Sequence, residues 1–332
     1  MVLVESYPIA VGMCVATMLC WGSWANTQKL AGKQWPFQLF YWDYAFGVLL
    51  LSLVFALTLG SFGSEGRSFF ADLRHAGGGA VRSAMLGGVV FNLSNILLVA
   101  AIDIAGMAVA FPIGVGLALV IGVVVNYVKL PAGDPLLLLA GVAGVVIAIV
   151  LDALAYKRLR TDRQTTAKGM LIAVAAGVLM GFFFRFVVAS MANDFAHPEP
   201  GRLTPYTAVF FFSVGLVLSN FVWNSIVMRR PFVGEAVSYG DYLTKGSAKL
   251  HSVGVLGGII WSIGMSFSII ASGVAGPSIS YGLGQGATMV AALWGVFIWQ
   301  EFKDAPPGTG RLLALMFGFY IAGLGLIVYA GT

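Results

Sequence analysis

The chain has 332 residues, 59% of them hydrophobic and only 10% charged, with a formal net charge of +5. A soluble domain carries roughly 45–50% apolar and about 25% charged residues, so no globule of this size hides the excess from water and lipid is the solvent for most of it. The basic residues lie between apolar runs and form no single face, which excludes a nucleic-acid-binding surface and makes the charge a topology signal.

Ten apolar segments follow one another, near 8–29, 38–60, 83–103, 107–128, 135–156, 169–191, 204–228, 252–272, 276–300 and 311–330. Each is about 20 residues long, which carries a helix across roughly 30 Å of hydrocarbon. The short alternating segments of a membrane barrel are absent. The expected fold class is therefore an all-α integral membrane protein with ten transmembrane helices.

The first segment follows Glu5 with no basic run before it, and reads as a retained membrane helix instead of a cleaved signal peptide. Its cysteines, Cys14 and Cys20, point in different directions on a helix and are not expected to pair. Trp21 and Trp24 stand one turn apart at mid-segment, where interfacial anchoring fails as an explanation, and Asn26 and Gln28 follow them. Trp35 and Trp42 lie nearer an interface and read as anchors. Asp43, about two turns into the second segment, reads as a proton or cation site, or as the partner of Lys29. In the third segment Asn92 and Asn95 share a face with Gly88.

Arg185, within Gly-Phe-Phe-Phe-Arg-Phe of the sixth segment, is costly in hydrocarbon unless it is paired or solvated. It either lines an aqueous cavity or is held by carbonyls and a carboxylate. Trp261 is mid-segment in the eighth. In the ninth, Ser278, Tyr281, Gln285 and Thr288 follow helical spacing and share one face, which should point to a cavity or to other helices and not to lipid. Asp103, Asp152 and Glu301 fall near helix ends and read as solvated. The connections 68–76 and 239–250 mix apolar and charged residues and read as surface-lying segments.

The chain contains a duplication. Residues 105–116 read AGMAVAFPIGVG and residues 275–286 read AGPSISYGLGQG, an offset of 170 that also superposes Leu86-Gly87-Gly88 on Leu256-Gly257-Gly258. Tyr281 and Gln285 thus stand where the first copy has Phe111 and Val115. The expected organisation is a first five-helix repeat at 1–157, a basic cytoplasmic linker at 158–168, and a second repeat at 169–332. An odd number of helices per copy turns the second upside down, giving an inverted repeat of the kind secondary transporters use for alternating access. Arg67, Arg74, Arg82, Lys129 and Arg202 fall on the side of the termini, and thirteen lysines and arginines on the other. The positive-inside rule then places both termini outside.

His75, His197 and His251 lack metal-ligand spacing. No Gly-x-Ser-x-Gly, His-Glu-x-x-His or Walker-type run occurs, so no enzyme activity, metal, cofactor or ATP-driven step is expected.

MLCWGSWANTQKL at 18–30, FYWDY at 40–44, AFPIGVGLALVIG at 110–122 and SYGLGQGATMVAALWG at 280–295 resemble the drug/metabolite transporter superfamily. They look like its branch of glucose/ribose porters and rhamnose/proton symporters, which is related to plant ureide permeases. The resemblance implies uptake of a small neutral polar solute across the cell (inner) membrane, a monosaccharide first of all, coupled to protons or sodium. A ureide or nucleobase permease is the alternative, and an exporter of metabolites or drugs a further one. The expected solute site is formed by Trp21, Trp24, Asn92, Asn95, Arg185, Trp261, Tyr281 and Gln285, with Asp43 as the coupling residue. Lipid, the solute and the coupling ion are the expected partners, and the chain is expected as a monomer or homodimer.

Overall fold

A computed structural model describes residues 1–159 and 166–332. Arg160 and Arg163, and with them most of the basic linker, lie outside the described residues. The helices are α1 (Tyr7–Ser23), α2 (Ala25–Ala31), α3 (Phe37–Leu57), α4 (Phe69–His75), α5 (Gly78–Ala105), α6 (Met107–Lys129), α7 (Pro135–Arg158), α8 (Ala167–Val188), α9 (Pro205–Arg229), α10 (Tyr239–Lys245), α11 (Ala248–Ala275), α12 (Pro277–Gly284), α13 (Ala287–Leu293) and α14 (Thr309–Ala330). Among the described residues ten spans are long and apolar enough to cross a membrane. The first is α1 with α2, and the ninth is α12 and α13 with a π-turn at Trp294–Ile298.

Local chemistry sets the helix starts. Asp134 accepts from the backbone N–H groups of Leu136 and Leu137 at 2.8 and 3.0 Å, satisfying two donors that a helix leaves open. Thr166 and Ser247 cap α8 and α11 in the same way. Pro205 and Pro277 occupy first positions, where the missing N–H costs nothing. Gly106 and Gly276 each end one span and begin the next, both with φ of 80°. That left-handed conformation reverses the chain in a single residue, and it favours glycine. The two glycines are partners in the sequence duplication.

α5 packs on α8 and α9, and α11 packs on α1 and α3. α6 lies on α8, and α12 and α13 lie on α1. α3 meets α9, and α7 meets α14. The closest approaches run through glycine. A Cβ on Gly88 would lie 2.0 Å from the Phe212 carbonyl oxygen, and one on Gly258 would lie 2.0 Å from that of Tyr44. Lipid gives helices no hydrophobic reason to associate, so such close backbone contact supplies the packing energy.

The end carrying the N-terminus is closed by loops. Arg67 donates through Nε to Asp72 at 2.9 Å and through Nη1 to the carbonyl of Pro198 at 3.0 Å. Asp72 is fully buried and accepts from the N–H and hydroxyl of Thr204 at 2.8 and 3.0 Å. Tyr206 donates to the Val2 carbonyl at 2.9 Å, tying the N-terminal strand of chain to α9.

Candidate functional site

The opposite end holds a cavity of about 600 Å³ between α1–α2, α5, α6, α8, α11 and α12–α13. Trp21, Phe91, Phe183 and Trp261 line its deep part. Lys29, Gly32 and Asp103 line its mouth and are exposed, so it opens at the end where α2 and α5 terminate. Trp21 and Trp261 stack with centroids 5.7 Å apart and 11° between planes, and Phe91 covers Trp261 at 4.5 Å.

Both broken spans contribute at their breaks. α1 gives way to α2 at Trp24, and α12 gives way to α13 at Gln285 and Gly286. A break at mid-membrane is tolerated only where the backbone is buried in protein or faces a cavity. Gly284 is needed there because a Cβ would lie 2.9 Å from the Trp21 ring. The continuous helical face expected over residues 278–288 is therefore interrupted at its third member. Three glycines in Gly282–Gly286 were the signal for it.

Of the residues expected at the site, Trp21, Trp24, Asn95, Trp261 and Gln285 line this cavity. Asn95 donates from its amide to the Tyr41 hydroxyl at 3.1 Å, which fixes its orientation. Thr288 also lines the cavity, and its hydroxyl donates to the Gln285 carbonyl at 2.9 Å. Asn92, Arg185 and Tyr281 are not among the lining residues. Asn92 is buried against α9, donating to the Leu216 carbonyl at 3.2 Å and to Ser219 Oγ at 2.9 Å. The Tyr281 hydroxyl donates to the carbonyls of Ala118 and Met180, both at 3.2 Å, bridging α6 and α8. Its ring lies on Gly122, where a Cβ would be 2.1 Å away. Arg185 is half-buried one turn from the end of α8, near Arg202 at the closed end.

Asp43 also stands apart from the cavity. It is 1% exposed and accepts from the indole of Trp35 at 2.9 Å, from Nδ1 of His251 at 2.8 Å and from the Tyr242 hydroxyl at 2.5 Å. Burial, then the Asp43 carboxylate, pushes the Tyr242 hydroxyl well up from its usual range. Lys29 is not its partner. Lys29 pairs with Glu301 at 2.7 Å and sits over the Trp299 ring at 4.9 Å. Glu301 is not simply solvated, since it also accepts from Tyr156 at 2.6 Å. Burial opposes its ionisation, but Lys29 and Tyr156 outweigh that and hold its carboxyl below the usual value. Asp152, also expected in water, is buried at 5% exposure, because it lies on the face of α7, with Val145, Ala148 and Ile149, that packs against α14.

The family model for ureide permeases matches residues 40–168 and 157–330. Ureide permease 1 of Arabidopsis thaliana is 22% identical over 99% of this chain and 98% of its own length. Ureide permease 4 of the same plant is 23% identical with the same coverage. Transmembrane protein 144 homolog B of Dictyostelium discoideum is 24% identical over 50% of this chain and 41% of its own. A protein of known crystal structure shares the fold at a TM-score of 0.56, with 18% identity over 97% of this chain and 96% of its own.

Proposed function

Since the chain belongs to the ureide permease family and is a membrane transporter, we propose that its solute is a small, neutral, planar heterocycle of the ureide or nucleobase class. The observation that carries this reading is the stacked pair Trp21 and Trp261 in a cavity that also holds Asn95 and Gln285. Indole faces prefer offset stacking on a flat ring. Ureides and nucleobases alternate N–H and C=O along their edges, and an amide side chain offers both a donor and an acceptor to match them. A ring of this kind has no formal charge, so the cavity needs no buried counter-ion.

The transport cycle we propose is alternating access between two inverted five-helix repeats, 1–157 and 169–332. The packing supports it. Exchanging the halves turns the contacts of α5 with α8 and α9 into those of α11 with α1 and α3, and Gly106 into Gly276. With thirteen basic residues assigned by the sequence to the loops of the end at which the cavity opens, the proposed topology makes this an inward-open state with the termini outside. A proton or sodium gradient across the cell (inner) membrane would drive uptake.

A monosaccharide is the second reading, favoured by the same two indoles, because a sugar's apolar face also stacks on tryptophan. Counterflow in proteoliposomes separates the readings. Unlabelled solute inside the vesicle is expected to speed entry of labelled allantoin, hydantoin or uracil, with glucose inert. Counterflow of glucose with no response to the cyclic ureides or uracil would overturn the heterocycle reading in favour of the sugar.

A further inference from the structure

Beside the cavity, behind its α13 wall, lies a second polar cluster. Asp152 on α7 is 5% exposed, and its Oδ1 has no hydrogen-bond partner among the described residues. Tyr320 on α14 is fully buried, and its hydroxyl is likewise without one. Tyr320 has Asp152 and Thr288 as its polar neighbours, and Thr288 lines the cavity. On the other side Asp152 interacts with Glu301 and Tyr156, which are joined at 2.6 Å, and Glu301 is joined to Lys29 at the cavity mouth. The cluster therefore runs from the cavity wall, through the buried Asp152, to the open end.

An ionised carboxylate in this position would lose its hydration at Oδ1 with no donor to replace it there. The ionisable groups facing it are Tyr320 from α14, Glu301 from the connection after α13, and Tyr156 from its own helix. Lys29 is engaged by Glu301. On α6, Tyr127 and Lys129 stand at the opposite end, and Arg311 of α14 is exposed. Among the described residues no cation is thus placed to neutralise Asp152. A sodium ion wants a cage of several oxygens, whereas here the Glu301 carboxylate is already engaged by Lys29 and Tyr156, which leaves Asp152 and isolated hydroxyls. Asp43 differs, since three donors already hold it.

We propose that Asp152, not Asp43, is the proton-binding site that couples transport to a proton gradient. The proposal rests on the permease reading above. One proton passes from water on the acidic side to a carboxylate oxygen of Asp152. It leaves from the same oxygen, past Tyr156 and Glu301, to water at the open end. Nothing else is consumed. Thr288 and Tyr320 join this event to the solute, so occupancy of either site changes the affinity of the other.

The test uses the full chain in proteoliposomes with labelled allantoin as probe. With acid outside, the wild type is expected to accumulate the probe. Asp152→Asn is expected to equilibrate it to a ratio of about one, as an uncoupled carrier does, while counterflow without a gradient persists. Asp152→Glu keeps a protonatable group and is expected to accumulate the probe with a shifted pH midpoint. That variant also reads the site if the asparagine form fails to reach the vesicles. Accumulation by Asp152→Asn equal to the wild type overturns the proposal, as does an unmoved midpoint in Asp152→Glu or accumulation driven only by sodium. Absence of wild-type counterflow with every cyclic ureide and with uracil brings down the permease reading itself, and this proposal with it.

Discussion

Trp21 and Trp261 are joined twice: their rings stack at 5.7 Å, and the indole N–H of Trp21 donates to the Trp261 carbonyl at 3.2 Å. One residue belongs to α1 and the other to α11, so the floor of the cavity is built across the two halves of the chain. Gly264 makes room for the contact, since a Cβ there would lie 2.7 Å from the Trp21 ring. A solute lying on this pair would feel any relative movement of the two halves.

Removing one face of the pair should weaken solute binding without unfolding the chain. An aromatic stack contributes about 0.5–1.5 kcal/mol beyond area burial, so replacing the half-buried member of the pair, Trp21→Leu, is expected to raise the apparent KM for the transported heterocycle by roughly 2- to 10-fold. Uptake kinetics at matched amounts of reconstituted protein check this. An unchanged KM in a folded variant removes the indole from the solute site.

The backbone crossings make a separate prediction. Gly88→Ala and Gly258→Ala each drive a methyl group to 2.0 Å from a backbone carbonyl oxygen, where no side chain can swing aside. Overpacking of this kind costs about 1–3 kcal/mol, so both variants should melt earlier in detergent. Gly12→Ala, whose Cβ would meet nothing within 4 Å, is the control and should melt with the wild type. Fluorescence-detected size-exclusion after heating measures all three.

The spans were legible because lipid makes them so: a helix without about 20 apolar residues does not cross, and composition alone reveals such runs. The hairpin turns were legible through the paired glycines Gly106 and Gly276. The cavity lining was legible only in part. Trp21, Trp24 and Gln285 could be found because bulky or polar groups at mid-membrane need a reason. Asn92 and Tyr281 satisfy the same criterion, yet their partners are carbonyls on other helices, 124 residues away for Asn92 and 101 and 163 away for Tyr281. Periodicity cannot distinguish a hydroxyl facing water from one facing a distant carbonyl. Asp152 was hidden differently: its place near a helix end suggests water, but it shares with Val145, Ala148 and Ile149 the face of α7 that packs against α14.

Orientation has its own test. If the thirteen basic residues face the cytoplasm, a reporter fused at Thr332 that is active only outside the cytoplasm should be active, and one active only in the cytoplasm should be silent. The reverse pattern inverts the topology and turns the open end of the cavity outward.

The Lys29–Glu301–Tyr156 junction should give stability a pH dependence at its acid end. The Glu301 carboxyl is held below its usual value despite burial, because Lys29 and Tyr156 donate to it. A depressed folded-state pKa means that the stabilisation is fully present above the unfolded value near 4.5 and is lost as pH falls through the lower folded value. Melting temperatures measured in detergent from pH 7 down to about pH 3 should therefore decline over that window. In Glu301→Gln the amide cannot ionise, so the decline should be shallower and the melting temperature near neutrality lower. Lys29→Met removes the cation and lets burial raise the Glu301 carboxyl toward or past its unfolded value, so it is expected to shrink or reverse the decline and to lower the melting temperature near neutrality. An acid limb identical in wild type and both variants would show that the junction contributes nothing to the pH dependence.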